Sequence, residues 1–386
     1  MKILSYAWYI YDSRLQQYIH NCTGGGLVVR DLCEFLGRKE HSYLFIGQYV
    51  FPEMKLGNIN IVKTDYNLGM KKGEGKDNTY INYMADMFQK AVDDIQPDII
   101  HFHDVGDLAY EIIDKICIPQ NLKYLVTCHL YIGKNPQFAG YENSLMIERR
   151  MMGIQDLNLV TVSSGMKKKI LRDYTEYSEN RITPILNGTD FKAEDVLSDY
   201  REQLEVGNKK ILLCAGTICY RKNQLQILNV FAKYQELQKK IFVIFCGKIA
   251  RSMKEDFKEE IEVRALNGCM RYVGALTSEE MKKIYTIADG LIMTSHAEGL
   301  SISALEAITY GLPIIMFRNS ECALDLTDKR VICFAENCTD NSLATAIDTW
   351  YYESWDKEYI QKYSEYFMME RMADDYLKYY KKLIKS

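Results

Sequence analysis

Two carboxylates, Glu298 and Glu306, have the spacing in this chain that most directly suggests chemistry. Seven residues separate them, and both follow a short apolar run at 290–294 that is typical of a buried strand. Glu306 lies about two helical turns after Glu298, so we expect it on the same side as the start of a helix. Two carboxylates placed there can bind the hydroxyl groups of a ligand. A helix cap plus a surface charge is the purely structural alternative.

The residues between the two carboxylates have the pattern of a helix start. Gly299 and Ser301 suit a turn into a helix that ends at Gly311, because serine favours helix N-termini and glycine favours C-termini. The free backbone N–H groups at the start of this helix would attract phosphate. The segment therefore predicts a site for a ligand that carries both hydroxyl and phosphate groups.

A second candidate is the basic pair Arg221 and Lys222, which follows an apolar run at 210–215 and Gly216. Two cations at a strand-to-helix junction add to the positive potential of the helix N-terminus. This arrangement fits a diphosphate. A solvated pair of surface charges is an equal alternative at this point.

Three consecutive glycines, Gly24, Gly25 and Gly26, precede a helical pattern at 27–36. Glycines allow the backbone to approach a ligand closely and to point N–H groups at an anion. The run does not match G-x-G-x-x-G, so it does not predict a dinucleotide site. A plain flexible loop remains the alternative.

Histidines mark the ends of two further predicted strands. His129 follows the run 122–127, and His101, His103 and Asp104 lie at the end of the run 98–102. A histidine at the carboxyl end of a strand can donate or accept hydrogen bonds near neutral pH. The structural alternatives are a loop histidine bonded to backbone, a semi-buried histidine, and a helix cap formed by Asp104.

The elements that position these residues are short apolar runs alternating with longer amphipathic stretches. Near-continuous hydrophobicity favours strands buried on both faces of a parallel sheet. We therefore predict an α/β fold with two Rossmann-like doubly wound domains facing across a cleft. The predicted strands are 1–6, 41–47, 59–63, 98–102, 122–127, 159–163, 210–215, 242–246, 270–273, 290–294, 313–316 and 331–334. The predicted parts are a domain at 1–186, a hinge at 187–208, a domain at 209–356 and a helical tail at 357–386.

The composition limits the class of protein. The 386 residues are 47% hydrophobic and 26% charged, as in folded globular chains, and the length indicates two domains. The net charge of −4 argues against nucleic acid as a partner. The 11 cysteines are scattered, so we expect reduced thiols and a cytoplasmic location. No Asp-x-Asp follows a predicted strand and no histidines have zinc-ligand spacing, so we expect no metal.

The Glu298–Glu306 block resembles the E-x7-E signature of the retaining nucleotide-sugar glycosyltransferases of family four, which have the GT-B fold. The resemblance spans most of the chain, and the order and spacing of its parts are more specific than any single motif. The other segments that carry it are Gly24–Gly26, Pro97–Asp104, Thr127–His129, Ser163–Ser164, Asn187–Asp190, Gly216–Asn223, Val273–Gly274 and Pro313. It implies that the tail packs back on the N-terminal domain, where several of the 29 tyrosines would be half buried.

For the diphosphate of the donor, the resemblance implies that Lys222, helped by Arg221, neutralises the leaving group. The N–H groups of Leu300 and Ser301 would add to this stabilisation. One residue departs from the family pattern, which usually has an arginine directly after Gly216.

This chain has Thr217 at that position, so that one diphosphate cation is missing unless Arg221 substitutes for it. We favour the interpretation that Arg221 takes the place of the missing cation, because Lys222, Glu298 and Glu306 are all present.

For the sugar and nucleoside, the resemblance implies further roles. Glu306 would bind the ribose hydroxyls, Glu298 would hold sugar hydroxyls on the reacting face, and His129 would contact the donor sugar. Gly247 would lie near the nucleotide, and the base would lie near Val273. The N-terminal domain would hold the acceptor, near His103 and Asp104.

The predicted function is transfer of a sugar from a nucleoside-diphosphate sugar, with UDP favoured and GDP an alternative, to a hydroxyl acceptor with retention of configuration. The nucleotide sugar is a co-substrate, and no cofactor is expected. The acceptor would be a glycan, a lipid-linked glycan or a protein, in a cell-surface glycan or glycoconjugate pathway. A non-catalytic subunit that binds an acceptor or partner is the alternative, and Thr217 is its support.

Basic clusters in the N-terminal half raise the question of a membrane surface. They comprise Lys71–Lys72, Arg149–Arg150, and Lys167–Lys169 with Arg172. A solvated helix face is the favoured interpretation. The alternative is peripheral contact with an anionic membrane at the inner face of the cell membrane, which would bring the protein to a lipid-linked acceptor.

Overall fold

The computed structural model describes residues 1–15, 24–48, 51–64, 78–119, 121–134, 136, 141–194, 196–253 and 256–386. Within these residues the chain forms two compact units. The first unit contains residues 1–136, 141–190 and 368–386, and the second contains residues 191–367. Each unit is built around one mainly parallel sheet, which confirms the predicted pair of Rossmann-like α/β domains.

The first unit has an eight-stranded sheet in the order β3-β4-β2-β1-β5-β6-β7-β8. The paired strands are parallel except for β3 and β4, which pair antiparallel at one edge. The strands are β1 Lys2–Ala7, β2 His41–Ile46, β3 Met54–Leu56, β4 Ile59–Ile61, β5 Ile99–His103, β6 Lys123–Cys128, β7 Asn158–Thr161 and β8 Ile182–Pro184. Every residue of β5 is buried, including its two histidines, His101 and His103.

Helices cover this sheet. They are α1 Gly24–Gly37, α2 Asn78–Ile95, α3 Asp107–Lys115, α4 Glu142–Met152 and α5 Ser164–Asp173. On one face the rings of Tyr6, Phe45, Phe88 and Phe102 pack together, with centroids 5.2–6.2 Å apart. Such aromatic clusters bury large apolar areas and hold the strands at fixed spacing.

The second unit has a six-stranded parallel sheet in the order β11-β10-β9-β12-β13-β14. The strands are β9 Lys210–Ala215, β10 Ile241–Cys246, β11 Met270–Gly274, β12 Gly290–Ile292, β13 Ile314–Phe317 and β14 Ile332–Ala335. The helices are α6 Tyr200–Gln203, α7 Leu225–Lys233, α8 Gln235–Lys240, α9 Asp256–Val263, α10 Ser278–Ile287, α11 Ile302–Thr309, α12 Asp340–Tyr352 and α13 Lys357–Tyr363. The strand order reverses beside β9, and in such sheets ligands bind at this switch point, outside the carboxyl ends of the strands.

The C-terminal tail differs from the single helix predicted at 357–386. Helix α13 belongs to the second unit, a 3-10 turn spans Ser364–Phe367, and α14, Met369–Lys385, belongs to the first unit. The hydroxyl of Ser364 donates to the carbonyl of Gln361 at 2.6 Å, which closes α13. Helix α14 packs against α1, and Tyr376 and Tyr380 are fully buried within it.

Other elements differ in detail from the sequence prediction. Residues 187–190 belong to the first unit, and the second unit begins at residue 191. The amphipathic stretch at 224–239 forms two helices, α7 and α8, divided at Tyr234. Strands β3 and β8 were not predicted, because three residues are too few to show a period. Pro184 ends β8 at the edge of the sheet. Its missing backbone N–H is tolerated there, because no further strand pairs with that edge among the described residues.

Candidate functional site

The candidate donor site of the second unit begins where β9 and β10 end. Gly216 and Gly247 directly follow these strands, with φ of 128° and 135°. A Cβ atom on Gly247 would lie 2.1 Å from the carbonyl oxygen of Gly216, and one on Gly216 would lie 2.8 Å from Nζ of Lys222. Only glycine fits both positions. The two predicted glycines therefore lie together and bring the backbone close to the basic residue.

The basic pair lies on a 3-10 turn, Tyr220–Lys222, which ends at Asn223 with a left-handed φ of 52°. The hydroxyl oxygen of Thr294 lies 2.9 Å from the carbonyl oxygen of Lys222 and 3.0 Å from that of Asn223. The backbone N–H of His296 donates to the carbonyl of Arg221 at 2.8 Å. The segment after β12 therefore holds the basic turn in place.

Glu298 lies at the centre of the site. Its Oε2 atom is 3.2 Å from Nζ of Lys222, 3.3 Å from Nη1 of Arg221 and 3.1 Å from Oγ of Ser295. Nη1 of Arg221 also donates to the carbonyl of Ala297 at 2.6 Å. Burial acts to raise the pKa of Glu298, but the charges of Lys222 and Arg221 and the hydrogen bonds lower it to about 2. The carboxylate is ionised at neutral pH and holds two cations together.

Glu306 lies on α11, one turn after the N-cap residue Ser301. The hydroxyl of Tyr285, a buried residue of α10, donates to Oε2 of Glu306 at 2.8 Å. The hydroxyls of Ser301 and Ser303 lie 3.0 Å apart, and no side-chain hydrogen bond caps the helix. Tyr285 thus fixes the direction of one predicted carboxylate.

The remaining residues predicted for the donor lie around the same strand ends. Gly299 and Leu300 connect Glu298 to the N-cap of α11, and the side chain of Leu300 is buried. Val273 lies near the end of β11, where the hydroxyl of its neighbour Tyr272 donates to the carbonyl of Gly247 at 2.7 Å. The structure therefore brings most of the predicted donor residues together within the second unit.

In the first unit, two of the three histidines predicted near strand ends lie in contact. Nδ1 of His103 is 3.2 Å from Nε2 of His129. Burial lowers the pKa of both rings, and the charges of His101 and His129 lower that of His103 further. His101 is different, because both of its ring nitrogens are bonded, to the hydroxyls of Tyr380 at 2.6 Å and Thr127 at 2.7 Å. His101 is therefore a core residue.

Two local expectations were wrong. Gly24, Gly25 and Gly26 are the first residues of α1 rather than a loop before it, and the carbonyl of Gly26 accepts from the N–H of Tyr11 at 3.3 Å. Asp104 does not cap α3, whose N-cap is Gly106.

Instead, Asp104 has a left-handed φ of 82°, and its carboxylate accepts the N–H of Val105 at 2.9 Å. An aspartate tolerates this conformation because its short side chain bonds to the nearby backbone.

Some residues that shape the site escaped sequence reasoning. Thr294 is the last residue of the predicted strand 290–294 and Ser295 follows it, and their position at its carboxyl end would have identified them as candidates. Tyr285 lies on a helix with no motif around it, and only its contact with Glu306 reveals its importance.

The described parts of the chain contain no cluster of His, Cys, Asp or Glu suited to a metal ion. No helix among them is long and apolar enough to span a bilayer. Lys71 and Lys72 lie outside the described residues. Several cations of the other basic clusters are paired with carboxylates: Arg150 with Glu111, Lys167 with Glu179, and Arg172 with Asp173.

Two family models match successive parts of the chain. The one described as Glycosyltransferase Family 4 matches residues 23–192, and the one described as Glycosyl transferases group 1 matches residues 198–366. Among solved structures, that of Anabaena HepE in complex with UDP-glucose has a TM-score of 0.70 at 13% identity, covering 99% of this chain and 100% of that chain. The fold is therefore that of the GT-B glycosyltransferases. The chain belongs to glycosyltransferase family 4.

Curated relatives agree with this assignment. An uncharacterized glycosyltransferase of Methanocaldococcus jannaschii is 22% identical over 251 residues, which is 62% of this chain. Alpha-monoglucosyldiacylglycerol synthase of Streptococcus pneumoniae is 25% identical over 259 residues, which is 63% of this chain. The match spans 63% and 57% of the length of these two relatives.

Proposed function

We propose that this chain is an active retaining glycosyltransferase that moves a sugar from a nucleoside-diphosphate sugar to a hydroxyl acceptor. The observation that carries the proposal is the contact of Lys222 and Arg221 with one carboxylate oxygen of Glu298 at the strand ends of the second unit. A UDP-sugar is the favoured donor, in line with the UDP-glucose complex of the structurally similar Anabaena protein.

The charge distribution suits departure of a nucleoside diphosphate. When the bond from the sugar C1 to the phosphate oxygen breaks, its electron pair stays on that oxygen, where Lys222 and Arg221 would stabilise the new charge. The acceptor oxygen forms the new bond to C1 on the same face. The proton of the acceptor hydroxyl passes to a phosphate oxygen of the leaving group. These steps require no metal and no cofactor.

Arg221 supplies a cation where Thr217 replaces the usual arginine. Its Nη1 atom is fixed by the carbonyl of Ala297 and the carboxylate of Glu298. Its side chain is 14% exposed, close to the 15% of Lys222. The site thus holds two similarly placed cations for the diphosphate, which supports catalysis over a purely binding role.

Glu306 is proposed to bind the ribose hydroxyls, and Tyr285 holds its carboxylate for this purpose. Gly216 and Gly247 would leave room for the nucleotide to lie against the backbone. On the first unit, His129 is proposed to contact the sugar, oriented by His103. Glu298 both anchors the cations and offers its second oxygen to sugar hydroxyls.

A cell-surface glycan or glycoconjugate is proposed, whether free, lipid-linked or on a protein, and the name of the pneumococcal relative indicates a lipid acceptor for that protein. We propose a cytoplasmic location. Sedimentation with anionic liposomes at low and moderate salt tests a peripheral membrane contact, which requires binding that weakens as salt rises.

A donor panel tests the activity itself. The purified protein is incubated with UDP-, GDP- and ADP-sugars, with and without acceptor extract, and the released nucleotide is measured. Release from a UDP-sugar, together with a higher melting temperature in UDP, is expected. No release from any donor would favour the alternative, a non-catalytic subunit, for which Thr217 is the argument.

A further inference from the structure

Phe191 is the first residue of the second unit, and its half-buried ring packs against two tyrosines of that unit. The ring centroid of Phe191 lies 5.7 Å from that of Tyr285 and 5.9 Å from that of Tyr310. Tyr285 and Tyr310 stack on each other, with centroids 5.3 Å apart and an angle of 24° between the rings. The three rings therefore form an aromatic cluster in which each ring contacts the other two.

The aromatic cluster ties the start of the second unit to helices α10 and α11. Tyr285 is buried on α10, and Tyr310 is the buried C-cap residue of α11. The backbone N–H of Glu194 donates to the hydroxyl of Tyr310 at 3.3 Å, and the carboxylate of Glu194 lies 2.7 Å from Nζ of Lys282 on α10. Residues 191 and 194 are thus anchored on the two helices that carry Tyr285 and Glu306.

The hydroxyl of Tyr285 has two acceptors within reach on α11. It lies 2.8 Å from Oε2 of Glu306 and 3.3 Å from the carbonyl oxygen of Ser303. Burial raises the pKa of Tyr285 well above its ordinary value, and the charge of Glu306 adds to this effect, so the hydroxyl keeps its proton and acts as a donor. One hydrogen cannot point at both oxygens with good geometry. The orientation of the Tyr285 ring therefore decides whether Glu306 is held.

Two neighbouring rings fix that orientation. Tyr310 covers one face of the Tyr285 ring, and Phe191 meets the ring at an angle of 67°. Stacked and T-shaped pairs are both favourable arrangements of aromatic rings. Because protein interiors have few voids, a ring packed in this way keeps one orientation. Loss of either neighbour would let the Tyr285 ring tilt, and its hydroxyl would then turn from Glu306 towards Ser303.

We propose that Phe191 and Tyr310 are positioning residues for the ribose of the nucleotide, because they orient Tyr285 so that its hydroxyl holds the carboxylate of Glu306. The proposal rests on the proposed function, in which Glu306 binds the ribose hydroxyls. It adds that the first residues of the second unit determine how strongly those hydroxyls are recognised. A nucleotide that lacks them gains nothing from this arrangement, and this difference gives the proposal a specific signature.

The test compares UDP with 2′,3′-dideoxyuridine 5′-diphosphate, which lacks both ribose hydroxyls. Isothermal titration calorimetry on the full chain gives the ratio of the two dissociation constants. For the wild type we expect the dideoxy nucleotide to bind about 10-fold or more weakly, because its hydrogen bonds to a charged group are lost. Phe191→Leu should lower this ratio about threefold by weakening UDP alone. An unchanged ratio, including one in which both nucleotides weaken equally, overturns the proposal.

A matched pair of variants at Tyr310 separates the ring from its hydroxyl. Tyr310→Phe keeps the stacked ring and should keep the wild-type ratio. Tyr310→Leu removes the ring and should lower the ratio as Phe191→Leu does. Equal ratios for these two variants would overturn the role of the Tyr310 ring.

The control for a general loss of packing is Phe231, which is fully buried on α7. Phe231→Leu should lower the melting temperature and leave the ratio of the two dissociation constants unchanged. A lower ratio in this variant would show that any loss of packing in the second unit has the same effect, and would overturn the proposal.

A double variant tests the route through Tyr285. In the Tyr285→Phe background, Phe191→Leu should cause no further fall in the ratio, because the hydroxyl that Phe191 positions is already absent. A further fall would show that Phe191 acts by another route, against the proposal. Failure of the proposed function has a different result, because the wild-type protein would then bind no UDP and release no nucleotide from any donor.

Discussion

Nζ of Lys222 lies 3.2 Å from Oε2 of Glu298, at a point where the backbone of Gly216 also approaches the lysine. The carboxylate holds the cation in position before any ligand arrives. Lys222→Ala should lower turnover about 100-fold or more, because a preorganised charge at the leaving group is lost. Initial-rate measurements with a UDP-sugar check this expectation.

The control for that substitution is Lys239→Ala. Lys239 is 70% exposed and pairs with Glu236 on the surface of the same unit. Its removal should change turnover less than twofold. Similar rates for both variants would show that Lys222 plays no part in the reaction.

The ionised Glu298 also makes stability depend on pH. Its pKa in the folded protein is about 2, below the ordinary value of about 4.3. The stabilisation is therefore complete above about pH 4.3 and is lost as pH falls towards 2, and its full size is about 3 kcal/mol. Glu298→Gln should be less stable than wild type at pH 7, and the difference should shrink at pH 3.

Urea unfolding at pH 7, 4 and 3 measures this dependence. The exposed Glu262 on α9 provides the comparison as Glu262→Gln, which should match wild type at neutral pH. A difference between Glu298→Gln and wild type that stays constant from pH 7 to pH 3 contradicts the assigned ionisation.

The contact of Tyr285 with Glu306 predicts an effect on nucleotide binding. Tyr285→Phe removes the hydroxyl that donates to Glu306, so the carboxylate loses its fixed direction. The dissociation constant for UDP should rise about fivefold, which corresponds to about 1 kcal/mol. Isothermal titration calorimetry measures it.

Two further variants make this test specific. Tyr234→Phe removes a hydroxyl that lies 3.4 Å from Asn341 and should leave UDP affinity unchanged. Glu306→Gln combined with Tyr285→Phe should weaken binding by less than the sum of the two single effects, because the tyrosine acts through the carboxylate. Simple additivity would show that the two residues act independently.

The tyrosines of α14 predict an effect on stability alone. Tyr380→Phe leaves Nδ1 of the buried His101 without its partner hydroxyl, which should cost about 1–3 kcal/mol. Thermal unfolding should show a lower melting temperature, with UDP affinity unchanged. Tyr366, which is 70% exposed, provides the control as Tyr366→Phe, and an equal loss in both variants would argue against the role of His101.

The sequence predicted the strands of both sheets well, because parallel strands buried on two faces are nearly uninterrupted apolar runs. The strand Lys210–Ala215 has the predicted bounds. The three-residue strands β3 and β8 lacked such a run. The break at Ser364–Phe367 was missed because the amphipathic pattern continues across it, and only tertiary contacts assign the two helices to different units.

The candidate site was predictable where residues come soon after strands. Lys222 and Glu298 were predicted from such positions, and Gly247 was implied by the resemblance. All three lie around neighbouring strand ends. Contacts between distant segments were not predictable. The pairing of Tyr285 with Glu306 and of His103 with His129 depends on the register of helices and strands, which no local pattern reveals.

Helix α14 completes the first unit although the whole second unit precedes it in the chain. During synthesis, the strands β5 and β6 emerge long before Tyr376 and Tyr380 can bond to Thr127 and His101. Residues 191–367 form one uninterrupted segment, so the core of the second unit does not wait for a segment that is synthesised after another unit. The nascent chain must therefore carry an unfinished N-terminal core until helix α14 leaves the ribosome, and chaperones would have that surface to bind.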